Sequence, residues 1–178
     1  MVKPANTEKL LDATGTAWPD WITWLDAKKA FDLPHSEIAR LITGAGKADG
    51  WWAQTITVAY EQHIGRRLPG QRADGLFNAS VSRTLTGAAE ELFQAWLVLM
   101  ERVTDLAGLN RKGAPTTSKT SMGLNWRCKT EDGPYFVITF SETALGKVRA
   151  VAAHEGLASA DHVLKVKSFW AGQIEKLK

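Results

Sequence analysis

One cysteine and four histidines are the residues of this chain that could serve as nucleophile, base or soft metal ligand. Cys128 has no second thiol, so it can form neither an internal disulfide nor a paired thiolate metal site. The histidines stand at positions 35, 63, 154 and 162. None of them is four residues from another, the spacing that turns two ring nitrogens on a helix towards one metal ion. No metal site and no cofactor are expected. Cys128 and His154 both fall at strand ends, with Glu155 next to the imidazole, and a thiol–imidazole pair is conceivable. Such a nucleophile needs a base in contact and a third group to orient it, and nothing in the spacing demands that contact. His63 with Glu61, and His35 with Glu37, are acid–base combinations by type. Residues two apart on a helix do not face each other, so solvated surface positions or hydrogen bonds between helices are expected instead. No catalytic residue is expected, and the chain reads as a non-enzymatic protein.

The elements that must position these groups have to come from an ordinary globular composition. Of 178 residues, 44% are hydrophobic and 23% charged, which supports a buried core and excludes disorder over most of the length. That length suits one domain, or one reduced domain with an appendage. No run of 18 apolar residues occurs, so no membrane partner is expected. Lys3, Glu8 and Lys9 precede no apolar stretch, so a secretory leader is not expected and the reading is cytoplasmic.

Charge and punctuation split the chain in two. Residues 1–70 balance eight basic against eight acidic side chains, and the whole net charge of +3 lies beyond them. The stretch from Arg66 to Gly75, with Pro69, Gly70 and Gly75, interrupts every periodicity and predicts a linker, giving domains at 1–68 and 75–178. Arg66, Arg67 and Arg72 read as a solvated hinge at this modest charge.

The first part predicts short helices. Thr7–Thr14 is stopped by Gly15 in a left-handed position. Thr16 is expected to cap a helix carrying Trp18, Trp21, Ile22 and Leu25 on one face, with Pro19 and Asp20 in its first turn. Pro34 starts a third helix at its first position, with Ile38, Leu41 and Ile42 as its stripe. Asp49 caps a fourth, in which Trp52, Ile56, Ala59 and Tyr60 share a face.

After the linker the period changes from helical to two. Phe77, Ala79, Val81 and Leu85 alternate with polar residues, a half-buried strand. Thr86 is expected to cap a helix through Leu92, Phe93, Trp96, Met100 and Val103 that runs to about Leu106. Gly108–Thr120 predicts a basic loop merging into an edge strand. Met122, Leu124, Trp126 and Cys128 alternate into a turn over Glu131, Asp132, Gly133 and Pro134. Phe136, Ile138 and Phe140, then Val148, Ala150, Ala152 and His154, complete an antiparallel meander. Ser159 caps a closing helix with Val163, Val166, Trp170, Ile174 and Leu177 on one stripe. The fold class is α+β, a small helical unit followed by an antiparallel sheet on a long C-terminal helix.

Phe77-Asn78-Ala79-Ser80-Val81-Ser82-Arg83-Thr84, the helix with Glu91-Leu92-Phe93 and Ala95-Trp96, the string Ser121-Met122-Gly123-Leu124-Asn125-Trp126, His154-Glu155-Gly156-Leu157 and Lys167-Ser168-Phe169-Trp170 together resemble the SRPBCC (START-like, helix-grip) superfamily over residues 75–178. The nearest branch is that of bacterial relatives of the activator of the heat-shock chaperone ATPase. The resemblance implies a curved sheet gripping the C-terminal helix over an apolar ligand cavity, and it brings no reaction. Only about 30 residues separate the first strand's helix from the last two strands, so a shortened domain is expected. Thr14-Gly15, Trp18, Trp21, His35-Ser36-Glu37-Ile38, Gly50-Trp51-Trp52-Ala53-Gln54 and Tyr60-Glu61-Gln62 resemble a small helical domain of unknown function.

Met122, Leu124, Trp126, Phe136, Ile138, Phe140, Val148 and Trp170 converge between sheet and helix if the faces are assigned correctly. They either line a pocket for a small apolar ligand or fill the core at ordinary density. Eight Trp is a large number, and five of them, Trp18, Trp21, Trp24, Trp51 and Trp52, sit in the first 70 residues. Trp favours surfaces with one wet end, so these rings are expected to form an interface with the second domain or a protein partner. Six basic residues from Arg102 to Lys129 are dispersed and lack aromatic platforms, so nucleic acid is not the expected partner. An uncovered sheet edge favours a homodimer. The expected function is binding of a small apolar ligand, with a protein-interaction or chaperone-cofactor-like role as the alternative.

Overall fold

The computed structural model describes residues 5–131 and 133–178. Lys3 and the turn residue Asp132 lie outside the described residues. The chain divides into two compact units between Gly75 and Leu76.

The first unit holds α1 (Leu10–Thr14), α2 (Trp18–Ala27), a 3₁₀ turn (Ala30–Asp32), α3 (His35–Gly44) and α4 (Gly50–His63). Gly15, at φ 69, closes α1 through its N–H to Leu11 O. The Thr14 hydroxyl then accepts from Trp21 Nε1 at 3.2 Å, which ties α1 to α2. Trp21, Leu25, Ile38, Ile42, Ile56 and Tyr60 are fully buried and form the centre of the unit. Asp49 caps α4 as expected, accepting from Trp52 N at 3.0 Å. Thr16 does not cap α2: the cap position falls on Ala17, with no side-chain bond, because Pro19 enters one residue into the helix. Pro34 is the cap residue of α3 rather than its first helical residue.

The second unit runs β1 (Phe77–Thr86), α5 (Ala89–Met100), β2 (Arg111–Thr120), β3 (Gly123–Thr130), β4 (Tyr135–Ala144), β5 (Lys147–Leu157) and α6 (Ala160–Glu175). The strands form one antiparallel sheet in the order β1-β5-β4-β3-β2, with α6 packed on β1 and β5 and α5 on β3 and β4. Thr86 is still a strand residue, paired with Lys147, so it cannot cap α5; Ala88 occupies that position. α5 also ends at Met100, a turn and a half before the expected Leu106. Arg111 is the cause: its guanidinium donates to Met100 O at 3.0 Å and Glu101 O at 3.3 Å, satisfying carbonyls at the helix end that have no intrahelical partner. β2 is an edge strand, and Pro115, Lys112, Lys119 and a register shift between Lys112 and Thr116 make it a poor template for a further strand.

The β2–β3 turn brings Gly123 to φ +130, where a Cβ would stand 2.2 Å from Phe140 O across β3 and β4. Gly123→Ala should therefore destabilise the second unit by about 2 kcal/mol or more, since both the backbone conformation and the strand spacing oppose it. Asp49→Ala should cost the first unit about 1 kcal/mol for the lost cap. Urea titrations of the two variants against the parent chain check both, and an unchanged midpoint for Gly123→Ala would contradict the close approach.

Candidate functional site

Three strand rows place the aromatic residues of the second unit. Leu124, Phe140 and Ala150 form one row across β3, β4 and β5; Trp126, Ile138 and Ala152 the next; Cys128, Phe136 and His154 the third. The two alanines of β5 leave room above that strand, and α6 fills it. Ser159 caps α6 by accepting from His162 N at 3.2 Å, which fixes the register of Val163, Val166, Trp170 and Ile174, all buried.

Trp170 lies flat on Phe136, with ring centres 3.5 Å apart and planes within 9°. Trp96, from α5, approaches Trp126, Phe140 and Trp170 at 5.9, 6.0 and 6.1 Å. Trp126 meets Phe136 edge-on at 5.5 Å. Seven of the eight residues expected between sheet and helix, Leu124, Trp126, Phe136, Ile138, Phe140, Val148 and Trp170, are buried there. Met122 is not: the hairpin turns at Ser121 and Met122, the alternation stops, and its side chain is 73% exposed.

The polar content of this interior is small and specific. Trp170 Nε1 donates to His154 Nδ1 at 3.3 Å. A neutral imidazole that accepts at Nδ1 carries its proton on Nε2, and that N–H has no partner among the described residues. Burial, with the nearby His162 adding to it, lowers the His154 pKa from 6.5 to about 4, so the ring is neutral at ordinary pH. Trp96 Nε1 is a second buried N–H without a partner among the described residues. Two unspent donors thus sit among apolar rings.

Cys128 shares the row of His154, but β4 runs between their strands, which sets them about 10 Å apart. Burial pushes the thiol up to about 12 against the weaker pull of Arg111, so it is protonated. The conceivable thiol–imidazole pair is not formed, and no group of three metal-ligating side chains gathers among the described residues.

In the first unit the five indoles divide. Trp21 is fully buried; Trp18, Trp24 and Trp52 pack partly buried on the same core; Trp51 is 67% exposed. Lys47 stands over Trp21 and Trp24 at 5.5 and 5.4 Å. Neither acid–base combination named by neighbourhood forms. Instead His35, at the start of α3, meets Glu61 of α4: Nδ1 donates to Oε2 at 3.0 Å, and Arg67 Nε reaches the same oxygen at 3.0 Å. Glu61 is 3% exposed, and a buried carboxylate that accepts from both His35 and Arg67 ties α3 to the end of α4. Tyr60 donates to Asp26 at 2.5 Å, and burial together with that carboxylate pushes the phenol up. Arg66 and Arg67 are not a solvated hinge. Arg66 donates to Leu33 O at 2.6 Å and to Phe31 O, so both arginines fasten the end of α4 to the rest of the unit. No local spacing signals these pairs, since their partners lie six to 35 residues away.

No family model matches the chain, and no curated protein is similar to it. Solved structures similar to it include structural-genomics proteins at low identity. An uncharacterised protein from Bacillus thuringiensis is 11% identical over 56% of this chain and 95% of its own, with a TM-score of 0.32. CalU16 from Micromonospora echinospora is 12% identical over 56% and 71%, with a TM-score of 0.36. A protein from Thermobifida fusca is 8% identical over 55% and 84%, with a TM-score of 0.34.

Proposed function

We propose that the chain is a non-enzymatic binding protein whose second unit takes a small, mostly apolar molecule between the sheet and α6. The observation that supports this is the pair of buried N–H groups, His154 Nε2 and Trp96 Nε1, without acceptors inside a shell of rings. Each such donor costs about 1–3 kcal/mol, and an apolar molecule bearing a carbonyl or hydroxyl oxygen relieves that cost while keeping the rings dry. Trp170 is stacked on Phe136 at 3.5 Å, so the reading requires one of these rings to turn aside for a ligand to enter. A superfamily relationship to helix-grip proteins, and more narrowly to the chaperone-ATPase activator relatives, agrees with the element order and with the C-terminal helix laid on the sheet. Docking of a protein partner on the Trp-rich helices is the second reading. It comes second because four of the five indoles are spent at least partly on the unit's own core.

A thermal-shift panel of fatty acids, sterols and aromatic polyketides is the direct test, because a ligand that binds only the native state must raise its melting temperature. At least one oxygen-bearing apolar compound should shift it. A flat response across the panel would transfer the reading to the protein partner.

The neutral His154 that the reading requires has its own signature. The unfolded ring takes up a proton below about 6.5 and the folded ring only below about 4. Its contribution to stability is therefore complete above pH 6.5 and falls as pH is lowered towards 4, by up to about 3 kcal/mol. Urea midpoints at pH 7, 5.5 and 4 should show that loss in the parent chain and a smaller one in His154→Gln. Equal losses in both would remove His154 as the source.

A further inference from the structure

We propose that the first unit carries a separate binding site for a small aromatic carboxylate, in the groove between the segment at residues 5–9 and the first two turns of α4. The groove encloses about 510 Å³ and is lined chiefly by Lys9, Asn6, Trp51, Trp52, Gln54 and Val58. Its floor is aromatic. Trp51 leaves two thirds of its surface in solvent, yet it is held in place by Trp52, which meets it edge-on with ring centres 4.5 Å apart. Asp49, bonded to Trp52 N, fixes the helical turn from which both rings project. The Ala5 N–H, bonded to Gln62 Oε1 at 2.9 Å, anchors the opposite wall to α4. A large indole fixed in an exposed position with one open face is a platform on which a planar ring stacks.

A cation and an amide donor stand beside that platform. Among the described residues Lys9 Nζ has no ion pair or hydrogen bond, and none of those lining the groove carries a carboxylate. Gln54 meets His35 Nε2 with its side-chain amide at 2.8 Å and stands at the rim of the groove. His35 is itself held by Glu61 at 3.0 Å, so the position of Gln54 follows from the buried lock between α3 and α4. Asn6 spends its side-chain oxygen on Glu8 N at 3.0 Å and keeps its NH₂ group. An ammonium and an amide donor beside an aromatic floor complement an anion attached to a flat ring. A neutral aromatic satisfies only the floor, and an aliphatic anion only the rim.

Titration of the full chain with 2-naphthoate and with its neutral counterpart 2-naphthamide tests this, followed by the Trp51 indole N–H resonance and by calorimetry. The naphthoate should saturate the Trp51 signal and bind about tenfold or more tightly than the amide, with an advantage that shrinks as salt is added. Trp51→Ala should abolish binding of both. Lys9→Gln should bring the two ligands to about equal affinity. Both residues are exposed, so circular dichroism and melting of the variants should match the parent chain. Equal binding of the two compounds by the parent would mean an unspecific aromatic surface and would overturn the proposal. Binding that survives Trp51→Ala would place the ligand elsewhere, and no saturable change at Trp51 would overturn it as well. Displacement of naphthoate by an aromatic-ended peptide with a free C-terminus, at a hundredfold lower concentration, would replace the small molecule by a peptide as the occupant.

Discussion

Trp170 is held from three directions at once: from below by Phe136, from the side by Trp96, and through its indole N–H by His154. Each of these comes from a different element, β4, α5 and β5, so one side chain on α6 fixes the mutual placement of both helices and the central strands. Ala150 and Ala152 make this possible, because larger residues on β5 would lift the helix off the sheet. The hydrogen bond selects the proton position on His154 and thereby creates the unspent N–H on its far side. The central polar group of the interior exists because the largest apolar group needed an acceptor.

The first unit solves a different problem. It is too small to be held by its apolar stripe alone, and it adds polar locks at its seams. Glu61 with His35 and Arg67 joins α3 to the end of α4, Tyr60 with Asp26 joins α4 to α2, and Arg66 closes over the carbonyls of Phe31 and Leu33. These bonds do not merely stiffen the unit. Through His35 and Gln54 they reach the surface beside Trp51.

What could be read from the residues depended on range. Alternation placed Leu124, Trp126, Phe136, Ile138 and Phe140 on one face, and Asp49 and Ser159 were legible as caps, because each of these signals is complete within a few residues. Met122 was misplaced because alternation does not say where a strand gives way to its turn. Thr16 and Thr86 have the right chemistry for a cap but stand one and two residues too early, where a proline and a strand pairing decide the boundary. The end of α5 depends on Arg111 folding back from the next strand, and the His35–Glu61 contact spans 26 positions. Neither leaves a local trace. The unpaired donors of Trp96 and His154 were equally invisible, since a missing partner is a property of the packed interior and not of a sequence window.

Cys128 gains a meaning from its surroundings that its chemistry alone did not suggest. Its thiol is buried under the sheet's apolar face and held protonated far above neutrality. The thiolate is the form that attacks labelling reagents, so modification at neutral pH waits until β3 is exposed to water. With no other sulfhydryl on the chain, every label incorporated counts one opening of that strand. The second unit thus contains a single-site chronometer for its own unfolding.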